Sequence, residues 1–337
     1  MAAEPLEPVA AALLASLRRD PRQFRVEALT AGGNNRVYRL EGNGEKLALK
    51  CYWYDPVDSR DRLGAEYAFL SHAWDLGLRC VPQPLACDPG AHAALYEYVE
   101  GERPAATELG EARVLEAARF FAALNGARSR ALAVALSTAS EACFSVAEHL
   151  RMVDGRLGLL ATLRLTSPTD REAAAFVAEL GRAWEGAKHS ILSAVKDPDE
   201  PLPTYWRCLS PSDFGFHNTL VRPGGDLCFL DFEYAGWDDP AKAFGDFFAH
   251  PGLPVSRAHV DRFLEAAFAP FEHTEALMAR ARLLEPVFRT KWCCIILNEF
   301  VPDAARRRRF ADPAADTEAR KVRQLDKART LFETLTI

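Results

Sequence analysis

The chain has 337 residues, 49% of them hydrophobic, enough apolar material for a large core and for two lobes or domains. Its 41 basic residues against 47 acidic ones give a net charge of −6, which speaks against a broad cationic face for nucleic acid or for an anionic membrane. No run reaches membrane-spanning length, and the 8 cysteines (Cys51, Cys80, Cys87, Cys143, Cys208, Cys228, Cys293, Cys294) lack the CxxC or Cys/His spacing of structural zinc and read as free buried thiols.

The first apolar run, Val9 to Leu17, has Glu4 and Glu7 before it and Arg18-Arg19-Asp20 after it, the reverse of a signal peptide's charge order. With the free thiols, this points to a reducing, cytoplasmic location. From about Phe24 to Val99 short alternating runs broken by Gly and Asn turns predict strands, as in "FRVEAL", "RVYRL", "KLALKCYWY" and "ALYEYV". In "TAGGNNRVYRL" the segment Gly32-Gly33-Asn34-Asn35 reads first as a hairpin turn, with backbone cover for phosphates as the alternative; it matches neither GxGxxG nor a Walker A loop.

Period-2 alternation in "LALK" puts Ala48 and Lys50 on one face of a strand and Leu47 and Leu49 on the other. The helix predicted in "SRDRLGAEYAFLSHAWDLGL" carries Leu63, Glu66, Leu70 and Ala73 on one stripe. A carboxylate on an apolar stripe is costly unless paired, and Lys50 is the natural cation for Glu66.

After Gly101 the sequence turns Ala-rich and amphipathic with helical spacing, interrupted only by "CLSPSDFGFHNTLV" and "DLCFLDFEYAG". The expected organisation is an N-terminal β-rich lobe over residues 1–101 and a larger helical lobe over 102–337. "KDPDEPLP" (Lys196 to Pro203) reads as a turn, and "LLEPVFRTKWCCIILNEF" as a core helix in which Cys293-Cys294 pack rather than react. The run Arg306 to Arg309 reads as a solvated face.

Residues Ser212 to Asn218, "SDFGFHN", contain the Asp-Phe-Gly triplet that binds metal in protein kinases, yet Asn218 follows Asp213 by five positions, the spacing of a kinase catalytic loop. A metal triplet needs a catalytic loop before it, and residues 160–212 contain none; "FLDFEYAGWDDP" follows, with Asp231 ending a short apolar strand. Asp213 to Asn218 is therefore read as the catalytic loop and Asp231-Phe232-Glu233 as the metal triplet.

Asp213, Asn218, Asp231-Phe232-Glu233 and Gly236-x-x-Asp239-Pro240, with Lys50, Glu66, "CVPQPL" and "ALYEYVEG", resemble the aminoglycoside phosphotransferase and choline kinase-like small-molecule kinases over roughly residues 24–250. That resemblance implies an α+β, two-lobed protein-kinase-like fold: a small antiparallel β lobe with one helix, followed by a larger, mainly helical lobe. It implies an ATP-dependent phosphotransferase acting on a hydroxyl of a small molecule. Asp213 would be the catalytic base, Asn218 and Asp231 the Mg²⁺ ligands, and Lys50, held by Glu66, the contact to the ATP phosphates. Asn34 would lie over the phosphates, Ala48 on the adenine, and the backbone of Glu97 to Val99 along its edge. Asp246 would brace the catalytic loop from a helix; His217, inside the loop, reads as a structural hydrogen-bonding histidine, with a second base as the alternative. Pro211-Ser212 replace the family's His-Gly, which leaves a catalytically idle nucleotide-binding protein acting through a partner as the alternative. Among the acids after the loop, Glu233 and Asp238 are expected to favour a sugar or amino-alcohol acceptor, with metal ligation or loop bracing as the competing roles.

Overall fold

The computed structural model of the chain describes residues 6–29, 35–301 and 317–333. The chain packs as two compact units, Met1–Ser140 with Pro211–Trp237, and Glu141–Ser210 with Asp238–Ile337. The sheet-bearing unit thus takes in more chain than the β-rich stretch that ends near residue 101.

The first unit opens with helix α1 (Leu6–Ser16), whose Ala10, Leu13 and Leu14 pack on Leu40, Leu47, Leu49 and Leu95 of the sheet. Strands β1 (Arg25–Leu29), β2 (Arg36–Gly42), β3 (Glu45–Cys51), β4 (Pro84–Asp88) and β5 (Ala93–Glu97) form one sheet in the order β1-β2-β3-β5-β4, every neighbouring pair antiparallel. Asn43 and Gly44 join β2 to β3 with φ of 53° and 76°, the primed turn whose twist suits a two-residue hairpin. The alternation in β3 is realised: Leu47 and Leu49 are buried in the α1 core, while Ala48 and Lys50 take the other face.

Helix α2 (Arg62–Asp75) starts on Asp61, whose carboxylate accepts from Gly64 N at 2.9 Å. Its predicted stripe Leu63, Glu66, Leu70 and Ala73 is buried throughout. Helices α3 (Glu111–Leu124) and α4 (Ala127–Leu132) follow in the same unit. Beyond β6 (Cys208–Ser210), the chain returns to the first unit as the hairpin β7 (Thr219–Val221) and β8 (Leu227–Phe229).

The second unit is helical: α5 (Val146–Leu160), α6 (Pro168–Ala194), α7 (Pro240–Ala249), α8 (Val260–Phe268), α9 (Thr274–Ile296) and α10 (Thr317–Glu333). Every residue of α7 is buried, and Gly245 lets it approach α9 closely, since a Cβ there would stand 2.0 Å from the Phe288 ring. Cys293 and Cys294 are buried in the core of α6, α9 and α10. Among the described residues no helix is long and apolar enough to cross a membrane.

All the cysteines are free, but not all are buried: Cys87 is exposed and Cys51 and Cys80 are half-buried. Cys87 lies on β4, an edge strand of the sheet. Burial pushes the Cys80 thiol up to about 11 and those of Cys143 and Cys228 up to about 12, so these sulfurs stay protonated and unreactive at neutral pH. Asn34 and Arg306 to Arg309 lie outside the described residues.

Candidate active site

The strand β3 and the helix α2 bring Lys50 and Glu66 together as their patterning predicts. The Lys50 ammonium stands 2.6 Å from Glu66 Oε2 and 2.6 Å from Asp231 Oδ1. Burial alone would favour a neutral amine, but the carboxylates of Asp231 and Glu66 outweigh it and push the pKa of Lys50 up. The same Glu66 oxygen accepts from Tyr52 OH at 2.8 Å, and Tyr52 OH lies 2.6 Å from Tyr96 OH. A continuous polar chain therefore runs from Tyr96 on β5 through Tyr52, Glu66 and Lys50 to Asp231, buried from Tyr96 to Lys50, where low polarity strengthens each link, and open at Asp231.

Asp213 and Asn218 are held close by the turn between them. Asn218 Nδ2 donates to the Asp213 carbonyl at 3.1 Å and lies 3.4 Å from its carboxylate, and His217 Nε2 is 3.3 Å from Asp213 Oδ1. Leu230 N donates to Asn218 O at 2.8 Å, which ties the loop to the strand end that carries Asp231. Beneath both, Phe232 stacks on Phe69 at 4.7 Å and Phe120 on Phe229 at 4.6 Å, an aromatic floor that fixes the two segments from below.

The backbone is strained where the acids sit. Ser212, Asp213 and Asp231 adopt φ of 46°, 36° and 66°, a left-handed region that costs an L-residue about 1–2 kcal/mol each. Alternation and spacing carry no trace of this. Such strain persists only where the surroundings enforce it, and here it marks both the loop and the triplet.

Ala48 is half-buried and pairs in register with Tyr96, and Glu97 to Val99, also half-buried, leave the end of β5. Glu97 N donates to Gln83 O at 2.8 Å, which anchors the start of that segment.

Two of the acids expected near an acceptor are engaged internally. Glu233 is 3% exposed and accepts from Asn35 Nδ2 at 2.6 Å. Asp238 is fully buried and pairs with Lys242 one helical turn on. Asp239 is likewise sealed, capping α7 through Ala241 N at 2.9 Å and accepting from Arg280 Nε at 2.8 Å and His149 Nε2 at 3.0 Å. Burial opposes its charge, but Arg280 and His149 prevail and hold the carboxyl well below the usual range. A buried carboxylate needs such partners, so these side chains are not free to bind a polyol or an amine. Asp246, expected to brace the catalytic loop, does brace, and what it ties is α9, through Lys291 and Trp292 Nε1.

Sequence patterning misses Tyr52, Tyr96, Asn35 and Arg62. The tyrosines read as ordinary strand residues, and nothing short of the fold places Asn35 beside Glu233, 198 positions away.

The profile of the phosphotransferase enzyme family matches residues 25–284, a span that holds Lys50, Glu66, Asp213, Asn218 and Asp231. The chain belongs to this family. Its fold is similar to that of choline kinase from Cryptosporidium parvum Iowa II, at a TM-score of 0.61 and 11% identity over 98% of this chain and 96% of that one. Choline kinase LicA from Streptococcus pneumoniae gives 0.59 at 15% identity over 98% and 99%. A spectinomycin phosphotransferase in complex with ADP and spectinomycin gives 0.59 at 8% identity over 93% of each chain. No curated protein matches the chain by sequence. The phosphotransferase fold is thus the protein-kinase-like α+β fold, here with an antiparallel sheet and α2 followed by a mainly helical remainder.

Proposed function

We propose that this phosphotransferase moves the terminal phosphoryl group of ATP, in the presence of Mg²⁺, to a hydroxyl of a small molecule. The single observation that carries the reading is the Lys50–Glu66–Asp231 ion triad beside a loop in which Asp213 sits on strained backbone and is bonded to Asn218. Phosphoryl transfer needs positioning and charge more than covalent chemistry, and fixed charges of both signs supply it.

In this reading Lys50 holds the α and β phosphates, with Glu66 and its tyrosine partners fixing the ammonium. Asp231 and Asn218 offer hard oxygen donors that suit Mg²⁺, and the Asp231 side chain is 38% exposed, so a ligand can reach it. Bound there, Mg²⁺ supplies neutralisation of the phosphate charge. Asp213 orients the acceptor hydroxyl and takes its proton. Ala48 and the segment from Glu97 to Val99 receive the adenine. The residues 1–101 serve as the nucleotide-binding lobe and 102–337 carry the loop, the metal ligands and the acceptor pocket.

For the acceptor, the engagement of Glu233 and Asp238 removes the argument from free carboxylates. What supports a sugar or amino-alcohol is the set of similar structures, which includes choline kinases and a spectinomycin phosphotransferase. The replacement of His-Gly by Pro211-Ser212 motivates the competing reading of an idle nucleotide-binding protein. Against it, Ser212 has a φ of 46°, in the left-handed region that glycine enters most readily, so a serine here is compatible with a glycine-type turn. The test is ADP formation with ATP and Mg²⁺ across neutral sugars, amino-alcohols, aminoglycosides and acidic metabolites at matched concentration. Acceptor-dependent ADP with a neutral or cationic alcohol is expected. Nucleotide binding without ADP from any acceptor would support the idle reading instead.

A further inference from the structure

Lys50 serves two carboxylates at once, and the two are not equivalent. Its ammonium stands 2.6 Å from Glu66 Oε2 and 2.6 Å from Asp231 Oδ1. Glu66 is buried beside it and is held a second time by Tyr52 OH at 2.8 Å. Asp231 lies just past the end of β8, at a φ of 66°, with its side chain 38% exposed. Lys50 itself is buried, so Asp231 is the open end of the triad and the place where a ligand can enter it.

The carboxylate offered to Mg²⁺ is thus one already paired with a cation of the chain. To take a divalent ion alone, Asp231 must either hold it beside the ammonium, cation against cation, or give up Lys50 and leave a buried ammonium with one anion in place of two. Phosphates that come alone meet the same pair from the other side: they stand against the Asp231 carboxylate, and Lys50 is shared with it. When both come together the two costs vanish. Asp231 passes from Lys50 to the metal, Lys50 passes from Asp231 to a phosphate, and every charge keeps an opposite neighbour. Lysine suits this exchange, because an ammonium has three donors on a flexible stem and can keep its bond to Glu66 while its second partner changes.

We propose that Lys50 is the internal counter-ion of Asp231 and makes the binding of metal and nucleotide interdependent, each weak alone and strong together. The proposal rests on the ATP and Mg²⁺ reading above and adds a regulation of the same site: Lys50 keeps Asp231 from recruiting a divalent ion until a polyphosphate is there to receive the ammonium. The coupling is reciprocal, so the factor by which nucleotide raises metal affinity is the factor by which metal raises nucleotide affinity.

Three proteins test it: wild type, Lys50→Met, and Lys50→Met combined with Glu66→Gln. Each is titrated with Mn²⁺, a paramagnetic ion that suits the same oxygen donors, with and without ADP, and the unbound ion is read by its spin resonance. ADP binding is followed separately by calorimetry, and melting temperature shows whether each variant is folded. In wild type, saturating ADP is expected to tighten Mn²⁺ binding by about tenfold or more, within the ordinary range of coupling between two ligands. Lys50→Met is expected to bind Mn²⁺ without nucleotide about tenfold more tightly than wild type does, because Asp231 has lost its competing cation. Should Lys50→Met fail to fold with Glu66 buried and unpaired, the double variant removes that charge and carries the same expectation. Mn²⁺ affinity unchanged from wild type in the variants would overturn the proposal. So would a gain that is present in Lys50→Met and absent in the double variant, which would place the metal on Glu66. Wild type that binds ADP with no change in Mn²⁺ affinity would overturn it as well. If wild type binds no ADP at all, the function proposed above fails, while the nucleotide-free titrations still decide whether Lys50 holds Asp231 against a metal.

Discussion

Two groups of acids lie close together in the sequence between Asp213 and Asp246 and differ in what surrounds them. Asp213 and Asp231 keep side chains 29% and 38% exposed on strained backbone. Asp238 and Asp239, a few residues on, are wholly sealed among Lys242, Arg280 and His149. The residue type is the same and the roles are opposite: the first pair can meet a ligand, and the second holds the helical unit together. Spacing identifies acids, but burial and partners decide what each can do.

The largest separation between the groups is expected in stability. Asp239→Ala leaves the Arg280 guanidinium without its buried partner and is expected to cost about 3–5 kcal/mol, read by urea or thermal unfolding. Asp213→Ala, at a partly open position, should leave stability near that of wild type. Similar losses in both would erase the distinction.

A smaller effect concerns acid. Because the folded-state pKa of Asp239 is held down, its contribution to stability is present above the ordinary carboxylate value of about 4 and is lost as pH falls below it. The stability gap between wild type and Asp239→Asn should therefore narrow on acidification through that range. A gap that widens would mean that the carboxyl is protonated in the fold.

Strain at the open acids predicts a gain of opposite sign. Ser212→Gly removes the Cβ at a φ of 46° and should stabilise the protein by about 0.5–1 kcal/mol. Destabilisation would show that the serine side chain holds the loop. Smallest of all is a labelling difference: Cys87, exposed at the sheet edge, should react with a thiol reagent at pH 8 well before the buried cysteines, and simultaneous reaction would mean that the core opens readily.

Much of the open site was legible because its signals are local. Glu66 on an apolar stripe demands a cation, and Lys50 on the alternating face of β3 is that cation at 2.6 Å. The five-residue spacing of Asp213 and Asn218, followed by a strand ending in Asp231, separates the loop from the triplet. The sealed acids were less legible because their partners are remote: His149 lies 90 positions from Asp239 and Arg280 lies 41. No periodicity reports such pairings, so Asp238 and Glu233 looked available when they were not. The left-handed backbone at Ser212, Asp213 and Asp231 was equally hidden, since none of the three is glycine.

The most direct measurement compares Mg-ATP binding and ADP formation in wild type, Asp213→Ala and Asp231→Ala. If Asp213 is the base and Asp231 the metal ligand, Asp213→Ala binds Mg-ATP nearly as wild type does but turns over about 10²–10⁴-fold more slowly. Asp231→Ala then loses the Mg²⁺-dependent part of nucleotide binding itself. Normal Mg-ATP binding by Asp231→Ala together with its loss in Asp213→Ala would contradict the assignment and exchange the two segments' roles.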